Sequence, residues 1–169
     1  MKKFFTLLAV VMLAATSLQA KAKQEIGGIV GGLDGISYKY WLGDKLALQA
    51  DLAVGMTAAP VSVPGWGTYT VGFWDFTLNP NALYHFDLPE NFKVYTGGGV
   101  NLGMLGGFGS SGIEGKFGIN AVGGVAFHFD DVPLVLAFDF RPGYGMAFSN
   151  QADMHYFDWK LAFAVRYAF

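Results

Sequence analysis

The stretch from Asp158 to Phe169 alternates without a break. Trp159, Leu161, Phe163, Val165, Tyr167 and Phe169 are large and apolar, and Lys160, Ala162, Ala164, Arg166 and Ala168 between them are small or charged. Successive side chains of a strand point to opposite faces, so this spacing predicts one strand with a bulky apolar face and a small or polar one. The same alternation, bounded by turn residues, predicts seven earlier strands: Gln24–Gly31, Gly35–Leu42, Lys45–Gly55, Phe73–Phe86, Phe92–Gly103, Lys116–Phe129 and Pro133–Arg141. Short turns at Gly43-Asp44, Asp87–Glu90 and Asp130-Asp131 alternate with longer stretches. Three of these, Met56–Gly72, Met104–Gly115 and Pro142–Met154, read as loops because they are rich in Gly, Pro and Ser.

Alternation alone does not say which face points inward, since a soluble barrel shows the same pattern turned inside out. Volume decides. Summed over eight strands the bulky face carries about thirty large residues, more than the narrow interior of an eight-stranded barrel can hold. The bulky face therefore points outward, to lipid. The opposite face supplies an interior containing Lys39, Gln49, Asp51, Asp75, Asn79, Asn101, Asn120, Asp139, Arg141, Lys160 and Arg166. Acids and bases placed together there can pair, which predicts a plugged, ion-paired polar core. The inward Gly and Ala residues leave room for the long Lys and Arg side chains. Gly97–Gly99 and Gly123-Gly124 predict bulges or sharp coiling, and Pro80 a bulge.

Composition points the same way. Hydrophobic residues make up 53% of the 169-residue chain, aromatic ones 17% and charged ones only 14%, against about 25% charged in an ordinary soluble domain. Lys2 and Lys3 precede an apolar run, Phe4–Ala15, and then small and polar residues. This predicts a secretory signal peptide over residues 1–22, cleaved after Ala22 or Ala20, with the barrel formed by residues 23–169. Beyond it no apolar run approaches the ~20 residues of a spanning helix. Only helices and closed barrels satisfy their backbone hydrogen bonds within a bilayer, so a secreted chain of this kind reads as a barrel. Aromatic residues gather at both strand ends: Tyr38, Tyr40, Trp41, Tyr84 and Phe86 at one, Trp74, Tyr144, Tyr156 and Trp159 at the other. Such belts fit two membrane interfaces. The chain has no Cys, and its net charge of −2 without a basic run speaks against nucleic acid.

Candidate chemistry is sparse. Gly107–Gly112 matches G-x-G-x-x-G, but alternation resumes after it where a dinucleotide site needs a helix, so it reads as a Gly-rich loop. His85 and His128 sit beside short turns and read as interfacial or hydrogen-bonded. His155, near Ser149 and Asp153, is the only start of a triad. No residues have metal-ligand spacing, and neither a catalytic residue nor a cofactor is expected.

The segment Gly35-Ile36-Ser37-Tyr38-Lys39-Tyr40-Trp41, the eight alternating strands and the ending Val165-Arg166-Tyr167-Ala168-Phe169 resemble the small bacterial outer-membrane β-barrels, the family that includes OmpX, OmpW and the barrel domain of OmpA. The resemblance implies an all-β, eight-stranded antiparallel up-and-down transmembrane barrel in a Gram-negative outer membrane. It also implies that Tyr167 and Phe169 serve as the assembly signal read by the barrel assembly machinery, and that periplasmic chaperones and outer-membrane lipids are partners. No periplasmic peptidoglycan-binding domain is expected. Three roles follow in order: a structural or surface-interaction barrel with a closed core; a narrow, OmpW-like channel for small or hydrophobic molecules, with Leu83, Phe73 and Trp41 lining an apolar patch; and a lipid A-modifying enzyme. The related deacylase pattern, His-x-Ser, is absent, because Phe157 follows His155 by two. Oligomeric state is not read from the sequence.

Overall fold

The computed structural model describes residues 23–63, 67–107, 113–148 and 154–169. The signal-peptide assignment over residues 1–22 lies outside them. Eight strands follow in order: β1 (Gln24–Gly31), β2 (Asp34–Trp41), β3 (Leu46–Val63), β4 (Gly67–Asp87), β5 (Phe92–Gly107), β6 (Ile113–His128), β7 (Leu134–Phe148) and β8 (Met154–Ala168). Each pairs antiparallel with its sequence neighbours, and β1 closes on β8. Gln24 and Phe169 exchange backbone hydrogen bonds of 3.1 and 2.8 Å, so both ends of the barrel chain meet on the rim that carries the short turns. Closure leaves no full-length sheet edge.

The three stretches read as loops contribute strand instead. β3 and β4 pair from Leu46↔Tyr84 to Val63↔Gly67, far into Met56–Gly72. β5 and β6 pair out to Gly106↔Ile113, and β7 and β8 to Ala147↔Met154. Two causes are visible. Thr57, Val61, Val63, Thr68, Thr70 and Val71 are β-branched residues that favour a pleated backbone. In Gly143-Tyr144-Gly145-Met146-Ala147-Phe148 the small residues are buried, so glycine marks an inward position and not a break.

The expected bulges are absent from the register. Gly97, Gly98 and Gly99 pair with Leu83, Ala82 and Asn81 on one side and with Val122, Ala121 and Asn120 on the other, without a slip. At Pro80 the β4–β5 pairing is interrupted between Leu78↔Leu102 and Asn81↔Gly99, yet the register is the same on both sides. β6–β7 is interrupted in the same way opposite Pro142. Each proline lacks the N–H its ladder would use, and the strand tolerates that loss without inserting a residue.

The surface is inside out. Ile119 is 57% exposed and faces away from the lumen, while Arg166 on the inner wall is 0% exposed. Leu48, Leu52, Val54, Phe138, Phe140, Leu161 and Phe163 extend the outer apolar band. That band belongs against hydrocarbon.

Candidate functional site

The inner wall collects almost all the buried polar groups. Lys39, Asp51, Asp139, Arg141 and Arg166 are each at most 3% exposed. Gln49, Asn79 and Asn101 are buried with them. Asp75 and Lys160 sit nearer the outer mouth, with side chains 33% and 27% exposed. The groups form three levels along the barrel axis.

At mid-height Arg141 spans the lumen. Its Nη1 donates to Asp51 Oδ2 at 2.6 Å, and its Nε donates to Asp139 Oδ2 at 3.1 Å, with Nη2 bonding the same carboxylate. Asp51 also accepts from Gln49 Nε2, at 3.1 and 3.0 Å, and Asp139 accepts from the Tyr95 hydroxyl. A guanidinium forked between two carboxylates, each with a further donor, offsets much of the cost of removing these charges from water. Asn79 donates to the Asp51 carbonyl at 3.4 Å and Asn81 to the Asn79 carbonyl at 2.9 Å, carrying the network along β4.

Glycines on the inner wall let these bonds cross a whole strand. Tyr95 pairs with Gly124, and Gly124 pairs with Asp139. A Cβ on Gly124 would lie 2.6 Å from the Tyr95 ring, so the phenol reaches Asp139 only because that position is bare. Ser37, Gly27 and Arg166 form a second such row, with Arg166 Nε donating to Ser37 Oγ at 2.9 Å. In a third row Asn120 Nδ2 donates to Asn81 Oδ1 at 2.7 Å across Gly99. In each row, polar side chains two strands apart meet over a glycine.

The level nearest the chain termini contains groups the sequence reading left out of the lumen. Glu25 is 1% exposed and accepts from Trp41 Nε1 at 2.7 Å. His128 Nε2 and Arg166 Nη1 lie 3.6 and 4.0 Å from its two oxygens. His85, 1% exposed, lies 3.4 Å from Lys39 Nζ, with the Trp41 ring 4.3 Å and the Tyr95 ring 4.9 Å away. Lys39 Nζ also lies 4.7 Å from the Tyr95 centroid, a cation–π contact. Of its two expected roles, interfacial or hydrogen-bonded, His85 takes the second, as a lumen residue. Trp41 turns its indole inward and leaves the aromatic belt. So does Tyr156, whose hydroxyl lies against inward-facing Gly145. Parity was the available signal for Tyr95 and His85, which share a strand face with Asn101 and Asn79, already assigned inward; β1, which carries Glu25, had no residue so assigned.

The outer level is more open. Lys116 pairs with Asp75 and Lys160 with Asp158 around a cavity of about 370 Å³, which Thr77 and Leu33 also line. Outside the barrel, His155 Nδ1 lies 3.0 Å from the Tyr144 hydroxyl. Ser149, Asp153 and most of the Gly107–Gly112 motif lie outside the described residues. Of the proposed apolar patch, Leu83 is fully buried and Trp41 half-buried, while the Phe73 side chain also lies outside the described residues. At the chain end the Tyr167 and Phe169 rings stack with centroids 6.3 Å apart.

No protein-family model matches the chain, and no curated protein matches it. Among solved structures, it is similar to the Yersinia pestis outer membrane protein Ail, whose backbone structure was obtained in a phospholipid bilayer nanodisc. That likeness has 15% identity over 88% of this chain and 99% of the other, with a TM-score of 0.42. The inside-out surface and the closed register assign the architecture without it. The molecule is an eight-stranded β-barrel of the outer-membrane type.

Proposed function

We propose that the chain is an integral outer-membrane barrel with a structural or surface-interaction role and a lumen closed by its own ion pairs. The observation that carries this reading is Arg141, held across the barrel between Asp51 on β3 and Asp139 on its own strand. A pore needs mobile, hydrated polar groups along a continuous path. Here Gln49, Asp51, Tyr95, Asp139 and Arg141 are at most 3% exposed and bonded to one another. The outer lipids and the assembly machinery are the partners expected of such a barrel, with Tyr167 and Phe169 as the recognised ending.

The test is a swelling assay on liposomes carrying the refolded chain, using sugars and small amino acids as solutes. The expected result is no swelling above protein-free liposomes. Solute entry at rates comparable to a porin control would replace this reading with transport.

A further inference from the structure

The charged side chains of the outer mouth lie along the wall. Asp75 on β4 stands opposite Gly55 on β3, Lys116 on β6 opposite Gly103 on β5, and Asp158 on β8 opposite Gly143 on β7. A Cβ added at any of these three glycines would lie within 2.8 Å of the side chain facing it, so each charged group folds sideways over a bare position. Lys116 crosses β5 in this way to reach Asp75, and Lys160 meets Asp158 on its own strand. Both pairs stay close to the wall, and the cavity of about 370 Å³ opens beside them.

These pairs keep hydrogen-bonding capacity in reserve. A lysine ammonium carries several donors. Among the described residues, Lys116 donates only to Asp75 Oδ2 and Lys160 only to Asp158 Oδ2, so each keeps donors free. Asp75 Oδ1 likewise accepts from no described residue. Mid-lumen has no such reserve on its cation, since Arg141 commits Nε, Nη1 and Nη2 to Asp51 and Asp139. Lys116, Lys160, Asp75 and Thr77 line one cavity, and the buried Leu33 and Ala53 give it an apolar side. Its volume falls in the range of roughly 300–1,000 Å³ that small-molecule sites occupy, and apolar wall with a few convergent polar groups is their usual lining.

We propose that this cavity is a binding site for a free α-amino acid with an apolar side chain, entering from the outer side. The carboxylate of the ligand bridges the free donors of Lys116 and Lys160. Its ammonium goes to Asp75, and its side chain lies against Leu33 and Ala53. A purely anionic ligand would bring like charge to Asp75, and a purely cationic one would face two ammonium groups. A molecule carrying both charges on one carbon matches a lining that carries both signs. The paired side chains are between 13% and 33% exposed, so they exchange water for ligand without dismantling the fold. Below the cavity Arg141 bars the lumen, and the ligand leaves by the way it came. This inference goes beyond the structural role proposed above and does not depend on it, because the liposome assay reads passage and the experiment here reads binding.

The experiment is isothermal titration of the full chain in phosphatidylcholine nanodiscs, in a phosphate-free buffer, with empty nanodiscs as the blank. The probes are leucine, leucinamide, which lacks the carboxylate, and 4-methylpentanoate, which lacks the ammonium. The expected result is saturable binding of leucine, with each of the other two weaker by about tenfold or more, as the loss of a charge-assisted contact implies. Lys116→Met and Lys160→Met should each weaken leucine by a similar factor. Ala53→Leu fills the apolar side without touching a charge and should weaken it as well. Should a variant fail to fold, the three probes on the unaltered chain still decide. No saturable binding of leucine, or either truncated probe binding as tightly as leucine, would overturn the proposal. So would tighter binding of phosphoethanolamine, which marks a lipid headgroup site, or leucine binding unchanged in both lysine variants.

Discussion

The barrel holds the same kind of ion pair in two settings, at mid-lumen and at the outer mouth, and the two differ in what surrounds them. Arg141 with Asp51 and Asp139 is sealed, and each carboxylate accepts from a further donor. Lys116–Asp75 and Lys160–Asp158 are single contacts with side chains between 13% and 33% exposed. Water can replace a lost partner at the mouth. At mid-lumen it cannot do so without opening the barrel. The lesson is that the mid-lumen cluster specifies closure, while the mouth pairs trim a hydrated cavity.

The sharpest way to break the contrast is Arg141→Ala, which strands two carboxylates in the lumen. It should cost about 3–5 kcal/mol in urea unfolding from lipid vesicles. Replacing Asp51, Asp139 and Arg141 together by apolar residues of similar size should cost less than that single change, because no uncompensated charge remains. Gly124→Val should cost about 1–3 kcal/mol by driving a side chain into the Tyr95 ring. Tyr95→Phe, which removes only the hydroxyl donor to Asp139, should cost about 1.5–3 kcal/mol at most, the range for hydrogen bonds to charged groups. The two changes together should cost less than their sum, since both break one contact. At the mouth, Lys160→Ala should cost under about 1 kcal/mol, with salt narrowing the difference. A mouth substitution as costly as Arg141→Ala would erase the distinction between the two levels.

Much of this architecture is legible in alternation. Eight strands, their order and the facing of Phe138 against Asp139 follow from a two-residue period and the volume of a small barrel. What alternation could not give is how far each strand runs. Glycine and proline in Met56–Gly72 and Pro142–Met154 look like breakers. In the folded chain, Gly143 and Gly145 are buried inner-wall positions, and Pro60 turns its missing N–H away from β4. Nor could sequence say which acid meets which base. Asp51 and Arg141 are ninety positions apart and meet through the strand register across the barrel. The crossings over Gly27, Gly99 and Gly124 have the same origin. They appear only once three strands are laid side by side. Glu25 and His85 were missed for a simpler reason, since each stands among residues that suggest a strand end or a turn.

The most direct measurement is planar-bilayer conductance of the refolded chain, with Arg141→Ala and Lys160→Ala recorded beside it. The account predicts a silent wild type, leak in Arg141→Ala and silence in Lys160→Ala. Reproducible openings of the wild type, or equal leak from both variants, would contradict a lumen closed at Arg141.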